Sequence, residues 1–524
     1  MLRANLTAAN SCIVIGMRLS LLLLIAIAPA WGQTAPASPD VRAKVDAVFA
    51  RFHRTDSPGC AVGVSSNNEP VLSAAYGMAD LEHDVPLTPE SIFEPGSVTK
   101  QFTAAAVLLL AQQGKLSLED PVRKYLPELP EVYAPVTLRH MLNHTAGLRD
   151  WGSIEAIAGW PRTTRVYTTA HMLDILSRQR ALNYAPGAAY SYSNSGFNLA
   201  AVVVERVAGK TLAEFTREAI FVPLGMTSTS WRDDFRRVVK GRAIAYEQTN
   251  GRTRQLMPFE DIHGQGGLLT TVGDLLRWNS NFQSARVGGP GFVEQQLVRG
   301  KLTNGSTIGY AAGLMVLHYN GFNEVSHSGT TAAYNAWLGR YPDQRLSVAV
   351  LCNSSAANGT QLGREVAEIF LGPSERPASK PPLEAGRSGM YRSTRDHSVL
   401  NVAAGADASH YLFEDGGRLR VLSEMDEIVY EKVEPWTPSA ADLAALAGDY
   451  ASDEAEVTLT IAMEDGKLVA RRRPDTKIAL GPTYRDGFQA PGMGSMRFLR
   501  NSSGKVTELS VGESRVWDLR FRKK

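Results

Sequence analysis

Cysteine is scarce in this chain: Cys12, Cys60 and Cys352 are the only three among 524 residues. So few thiols, so far apart, exclude a disulfide-stapled scaffold and a thiolate metal centre. Histidine numbers ten. His140, His144 and His263 lack the His-Glu-x-x-His pattern of a zinc helix, so neither a metal nor any other cofactor is expected. Charge of one sign is also missing: 55 Lys and Arg face 53 Asp and Glu, a net of +2. With no basic stripe interleaved with aromatics, nucleic acid is excluded as a partner. Outside the first residues there is no long apolar run, and the one near the start falls short of the ~20 residues that span a bilayer.

That early run does have an organisation. Arg18 opens it, a leucine-rich core follows, and Ala30 and Gly32 supply small residues before Gln33. This reads as a secretory signal over residues 1–32 with Met17 as the expected start, implying a periplasmic or secreted protein without a membrane span once mature. Cleavage would remove Cys12. The remaining composition, 44% hydrophobic and 21% charged, is that of a globular chain with two or three domains.

In chain order, 41–53 has helical periodicity, and Cys60-Ala-Val-Gly-Val-Ser and Pro70-Val-Leu-Ser-Ala-Ala-Tyr-Gly read as a hairpin about Asn67-Asn68. Helical segments follow at 98–113, 137–147, 197–207, 212–220 and from Thr271 through Trp278. Strands are expected at 310–317, 323–330, 333–340 and 346–352, with a closing helix at 361–371. The first domain, 41–371, is thus an α/β sandwich with a central antiparallel sheet flanked by helices. Prolines crowd 372–385, a linker. Beyond it, 386–524 contains an internal echo. Gly389-Met-Tyr-Arg-Ser393 recurs as Gly448-Asp-Tyr-Ala-Ser452, and Glu414-Asp-Gly-Gly-Arg-Leu419 as Glu464-Asp-Gly-Lys-Leu468. This argues an all-β antiparallel, barrel-like region, as one unit or as two repeats at 386–433 and 446–524.

The most informative stretch is Phe93-Glu-Pro-Gly-Ser97-Val-Thr-Lys100, running into an Ala- and Leu-rich helix that stops at Gly114. Pro95-Gly96 ends what precedes, placing Ser97 at or beside the helix N-cap, where free N–H groups and the dipole favour a developing anion. Lys100 lies one turn on, on the same face. A serine so placed is usually only a cap, and Ser-x-x-Lys recurs by chance. To serve as a base the lysine must lose its proton near pH 7, which costs about 4 kcal/mol. A helix dipole supplies only about 0.3 to 2 kcal/mol, so burial or another charged or proton-sharing group must do the rest.

Two further patterns stand in the same domain: Tyr192-x-Asn194 in a turn-rich loop and His327-x-Gly329 on a strand. With Ser97-x-x-Lys100 they resemble the serine β-lactamase and penicillin-binding-protein family, in its class C-like and D-aminopeptidase-like branch. Supporting matches are His144-Thr-Ala-Gly147, Pro223-Leu-Gly-Met226 and Gly266-Gly-Leu-Leu-Thr-Thr-Val-Gly-Asp274. The resemblance implies Ser97 as acylated nucleophile, Lys100 as its proton acceptor and Tyr192 as companion base, sharing a proton with Lys100. It implies substrate contacts from Asn194, His327 and Gly329, and an oxyanion hole from the N–H groups of Ser97 and Thr330. The sheet it implies would put its first and last strands side by side, and with them Cys60 and Cys352, as adjacent thiols able to oxidise.

The expected function is a serine hydrolase forming an acyl-enzyme on small amides or esters, above all peptides containing D-amino acids. A promiscuous esterase or weak β-lactamase is the alternative among enzymes, and an acylated penicillin-binding sensor module the alternative outside them. The departure from the family pattern is His327, where lysine is usual. An imidazole is largely uncharged at pH 7 and makes a poor anchor for a substrate carboxylate.

Overall fold

Cys60-Ala-Val-Gly-Val-Ser-Ser and Leu346-Ser-Val-Ala-Val-Leu-Cys are apolar at successive rather than alternate positions, and such strands need cover on both faces. They form β1 (Cys60–Ser66) and β6 (Leu346–Cys352), which pair antiparallel inside a six-stranded sheet. Its other strands are β2 (Glu69–Tyr76), β3 (Met315–Tyr319), β4 (Phe322–Thr331) and β5 (Tyr334–Tyr341), in the order β2-β1-β6-β5-β4-β3. The computed structural model describes residues 37–373, 385–405, 407 and 409–524. The expected leader at 1–32 lies outside these residues, as does most of the expected linker.

Asn67 and Asn68 take φ of 53° and 67°, the two left-handed positions of a tight hairpin turn between β1 and β2. Val62, Val64, Val348 and Val350 point to one face and pack with helices α1 (Pro39–Val48) and α6 (Gly359–Leu371). Ala61, Ala349 and Leu351 point to the other, against the main helical layer. The period-2 alternation of strands thus divides one apolar run between two cores. Where the two runs meet, Cys60 faces Cys352 in register, their Cα atoms 4.0 Å apart, and the two form a disulfide.

Between β2 and β3 lies the helical layer. Helix α2 (Lys100–Gln112) is buried at every position from Lys100 to Leu110, as an Ala- and Leu-rich helix without a polar stripe must be. It packs on α4 (Asn194–Ala208), beside α3 (Trp151–Ala158) and α5 (Val272–Ser284), the last capped by Thr271 as expected. Two expectations need correction. The strand expected from Tyr310 begins only at Met315, after Gly313 turns the chain at φ 72°, and Tyr310 is left pointing into the helical layer. A helix at Gly289–Leu297 was not anticipated, because Gly288-Gly-Pro-Gly291 at its start reads as a loop.

Two antiparallel sheets complete the chain: five strands within Gly389–Val433, and nine within Gly448–Lys523 that curl into a nearly closed barrel. The sequence echo corresponds to equivalent strands, β7 (Gly389–Ser393) and β8 (Gly448–Ser452), each beside the last strand of its own sheet. In each, the tyrosine hydroxyl donates to a carbonyl four residues back, Tyr391 to Arg387 and Tyr450 to Leu446. The barrel is bonded to the helical layer: Arg149 donates to Glu454 Oε2 at 2.7 Å and to the carbonyl of Asp518 at 2.6 Å.

The disulfide joins positions 292 residues apart. Replacing both cysteines by alanine is expected to cost about 2 to 4 kcal/mol. In urea unfolding followed by tryptophan fluorescence, the midpoint for the catalytic layer falls accordingly.

Candidate active site

The geometry is built outward from Ser97. The segment before it is clamped: Phe93 and Thr270 exchange both backbone hydrogen bonds at 2.9 Å, and the carboxylate of Glu94 takes Arg232 Nε at 2.9 Å and Nη2 at 3.1 Å. Both partners of that pair are 1% exposed. Pro95 and Gly96, at φ 52°, then turn the chain into a single 3-10 turn, Gly96–Thr99, ahead of α2. Ser97 therefore lies within the first turn rather than at the cap of a longer α-helix, half-buried and open to solvent on one side.

Lys100 is fully buried. Its Nζ lies 3.1 Å from Ser97 Oγ, 2.9 Å from Asn194 Oδ1 and 2.8 Å from the carbonyl of Gln265. Burial pushes its pKa well below the ordinary lysine value, with the nearby Arg515 and Arg162 adding to the effect and Asp150 opposing it. A neutral amine has two N–H groups and one lone pair. Both N–H groups are taken by the Asn194 and Gln265 oxygens, so the lone pair faces the hydroxyl of Ser97. The Gln265 carbonyl is held there because Thr103 Oγ1, one turn along α2, donates to the neighbouring Gly264 carbonyl at 2.7 Å.

Tyr192 completes the group, its ring under Lys100 Nζ and its phenol near enough to the Ser97 side chain to be perturbed by it. Its loop is stitched to the His144–Trp151 segment at almost every residue. Ser191 N–H donates to the His144 carbonyl, Ser193 N–H to His144 Nδ1 at 3.2 Å and Asn194 N–H to Asp150 Oδ2 at 2.6 Å. Ser195 Oγ donates to the Arg149 carbonyl at 2.7 Å and accepts from Trp151 N–H at 2.9 Å. The His144 ring lies 4.2 Å from that of Tyr192, centroid to centroid. His140 and His144 stand four apart but share no helix face: the helix ends at Leu142, and His144 sits at φ 58°.

Burial raises the Tyr192 phenol to about 12, with the nearby Ser97 side chain and Arg515 acting the other way. This corrects the expectation that Lys100 loses its proton by sharing it with the phenol. Lys100 Nζ lies over the face of the Tyr192 ring, 4.9 Å from its centroid. Burial is the larger cause of the shift, and Tyr192 rests protonated.

β4 brings the remaining residues. A Cβ on Gly329 would lie 1.9 Å from the Pro95 carbonyl oxygen and 2.7 Å from Ser97 N, and one on Gly96 would lie 2.6 Å from Thr330 N. Only glycine permits this approach, which sets the N–H groups of Ser97 and Thr330 side by side. Beyond Thr330 a cavity of about 130 Å³ opens, walled by Arg162, Phe259 and Thr331.

His327 is on the same strand but differs from expectation. It is 1% exposed, its Nδ1–H donates to the Ser328 carbonyl at 2.6 Å, and its bare Nε2 accepts from the Tyr310 hydroxyl at 2.8 Å. Burial lowers its pKa to about 3. It is uncharged, with no ring nitrogen left to offer a ligand. Asn194 likewise spends its side-chain oxygen on Lys100, leaving its amide N–H groups for any further contact.

Sequence reasoning missed Asp150, Gln265, Tyr310 and Arg515. Gln265 and Asp150 act through a backbone carbonyl and a bond to another residue's backbone, which leave no side-chain pattern. Arg515 comes from a hairpin more than 300 positions away from Tyr192, its Cζ 5.0 Å from the centroid of that ring.

Comparison with known proteins gives the family of the chain. The chain is 26% identical to a D-aminopeptidase of Gluconobacter oxydans, over 93% of this chain and 99% of that protein. It is 28% identical to a penicillin-binding protein of Bacillus subtilis, over 68% of this chain and 80% of that one. The octameric penicillin-binding protein homologue from Pyrococcus abyssi shares the fold, with a TM-score of 0.56 at 21% identity over 92% of this chain and 99% of that chain. The sequence model of the Beta-lactamase family matches residues 45–369. The chain belongs to the Beta-lactamase family and is a serine hydrolase, with relatives named penicillin-binding protein and D-aminopeptidase.

Proposed function

We propose that this protein is an exported hydrolase that cleaves small amides and esters, chiefly peptides or amides of D-amino acids, through an acyl-enzyme on Ser97. The observation that carries the reading is the buried Lys100 amine, its two N–H groups committed and its lone pair 3.1 Å from Ser97 Oγ. As the substrate carbonyl is attacked, the Ser97 proton passes to Lys100, and the negative charge gathers on the carbonyl oxygen between the N–H groups of Ser97 and Thr330. Tyr192, protonated at rest, gives its proton to the leaving amine or alkoxide and recovers it through Lys100. In the second half-reaction the Lys100 amine takes a proton from water as it attacks the ester, and Tyr192 passes its own proton to Ser97 Oγ as the acid leaves and recovers one from Lys100. Asn194 holds the substrate amide through its free N–H groups, and the D-amino-acid preference is supported by the D-aminopeptidase relatives.

Export is supported by the basic and apolar leader pattern and by the buried Cys60–Cys352 disulfide, since disulfides persist in oxidising compartments. Among the described residues no helix is long and apolar enough to cross a membrane.

The reading is tested by kinetics on D-alanine p-nitroanilide. Ser97→Ala is expected to abolish turnover and the phosphonyl adduct seen by mass spectrometry after fluorophosphonate treatment. Tyr192→Phe is expected to lower kcat by about 10²- to 10⁴-fold, the usual share of a proton-transfer group. Retention of full turnover in either variant removes the mechanism. Gly329→Ala, which forces β4 off the Pro95 carbonyl, lowers kcat by about 10²-fold or more through the displaced Thr330 donor.

The pH dependence follows from the same groups. Lys100 acts unprotonated, so kcat/KM falls as pH drops through its depressed pKa and rises about tenfold per pH unit below it before levelling off. Tyr192, at about 12, leaves the alkaline side flat over the working range. His327, at about 3, does not titrate there either, so His327→Asn leaves the position of the acid limb unchanged.

A further inference from the structure

The charges around Ser97 are nearly all accounted for. Burial pushes the pKa of Lys100 well below the ordinary lysine value and keeps His144 and His327 neutral, and Tyr192 and Tyr310 stay protonated. The Asp150 carboxylate accepts the N–H groups of Asn194 and Ser153. Glu513 Oε1 accepts the N–H of Arg515, and burial raises the Glu513 carboxyl. Arg162 is paired with Glu260, and Arg149 with Glu454.

One cation is left without a hydrogen-bonded partner: Arg515, which the Asp150 carboxylate stabilises through space. Arg515 stands on the turn between β9 (Val506–Glu513) and β10 (Val516–Lys523) of the barrel, its guanidinium over the Tyr192 ring. Among the described residues that guanidinium enters no hydrogen bond and no ion pair. Its backbone, by contrast, is fixed. The Arg515 carbonyl accepts from Asn183 Nδ2 at 3.0 Å and from Asp150 N–H at 3.3 Å, and the Ser514 carbonyl accepts from Ser191 Oγ at 3.3 Å. Asn183 Oδ1 accepts in return from Trp517 N–H at 3.0 Å, and the Trp517 ring rests on Tyr184 at 4.7 Å. The turn is bonded to the two loops that place Tyr192 and Asp150, so the backbone that carries the cation is fixed, and the guanidinium itself rests on the Tyr192 ring.

We propose that Arg515 is a specificity residue that binds a substrate carboxylate, on the side of Ser97 from which Tyr192 reaches the leaving group. A guanidinium offers five N–H donors in a planar fork that matches a carboxylate, and a side chain whose backbone is already fixed loses less entropy on binding it. The favoured substrate is then a short peptide whose leaving residue ends in a free carboxylate. An uncharged amide in the same place gains nothing from Arg515, and an ammonium there is repelled. The charge that His327 does not provide on β4 comes instead from the C-terminal barrel. This inference rests on the acyl-enzyme reading above, because the leaving side is defined by Tyr192.

The test compares D-alanyl-D-alanine with D-alanyl-D-alaninamide on the full-length mature protein and on Arg515→Gln, Arg515→Lys and Arg515→Glu. Wild type is expected to prefer the free carboxylate in kcat/KM by about 10-fold or more, carried mainly by KM. Arg515→Gln is expected to lose that preference, Arg515→Lys to keep part of it and Arg515→Glu to reverse it. An equal loss on both substrates in Arg515→Gln overturns the proposal and assigns Arg515 to holding down the pKa of Lys100, which the pH profile would then show as a shifted acid limb. A wild type without preference also overturns it. Fluorophosphonate labelling of the wild type separates the two ideas: if Ser97 is not the modified residue, the acyl-enzyme reading fails, and if it is, any failure belongs to Arg515 alone.

Discussion

Removing one amine from water is what the rest of this structure is arranged to achieve. A lysine at the surface keeps its proton and cannot accept another from a serine. Lys100 is buried at the start of an Ala- and Leu-rich buried helix, between two oxygens that take its hydrogens and beside two arginines that disfavour a positive charge. The penalty for burying an ammonium far exceeds that for burying an amine, so the neutral form is the one the fold stabilises. The clamps on Phe93 and Glu94, the close approach of Gly329 and the hold of Thr103 on the Gly264 turn all keep that arrangement closed.

The second requirement is a phenol at the same serine, and its precision comes from backbone bonding. The loop around Tyr192 has little regular structure of its own, yet Ser191, Ser193, Asn194 and Ser195 each bond to the His144–Trp151 segment. Small hydroxylated and amide residues suit this work, because their short side chains and free N–H groups pair locally without filling the cleft. The barrel adds a third layer: its β9–β10 turn is bonded to both loops. Three stretches of chain, far apart in sequence, thus meet at one hydroxyl.

Where the sequence was readable, the reason was locality. Ser97 and Lys100 are one helical turn apart, so their shared face follows from helix geometry whatever surrounds them. The β1–β2 hairpin followed from Asn67-Asn68, and the cap of α5 from Thr271. Other features depended on contacts between distant segments. The charge state of His327 came from burial, and its Nε2 is taken by Tyr310, a residue expected in a strand and found outside it. The cause of the Lys100 shift was sought in a neighbouring phenol and lies mainly in burial, a property of the packed layer that no short window contains. Gly288-Gly-Pro-Gly291 hid a helix because its first turn tolerates residues that elsewhere end one.

What the amino-acid sequence determined by itself was the inventory and the local frame: a hydroxyl and an amine on one helix face, a Tyr-x-Asn loop, a glycine on a strand, two cysteines ending two apolar runs, and a repeated strand signature after residue 386. These are set by dihedral preference and side-chain period, which act over a few residues. Tertiary structure alone decided that the amine's pKa is pushed well down, that the imidazole on β4 is sealed from the cleft, that Cys60 meets Cys352 in register and that an arginine from the last hairpin stands over Tyr192. Each of these depends on desolvation or on contact across the fold, and neither exists until the layers have packed.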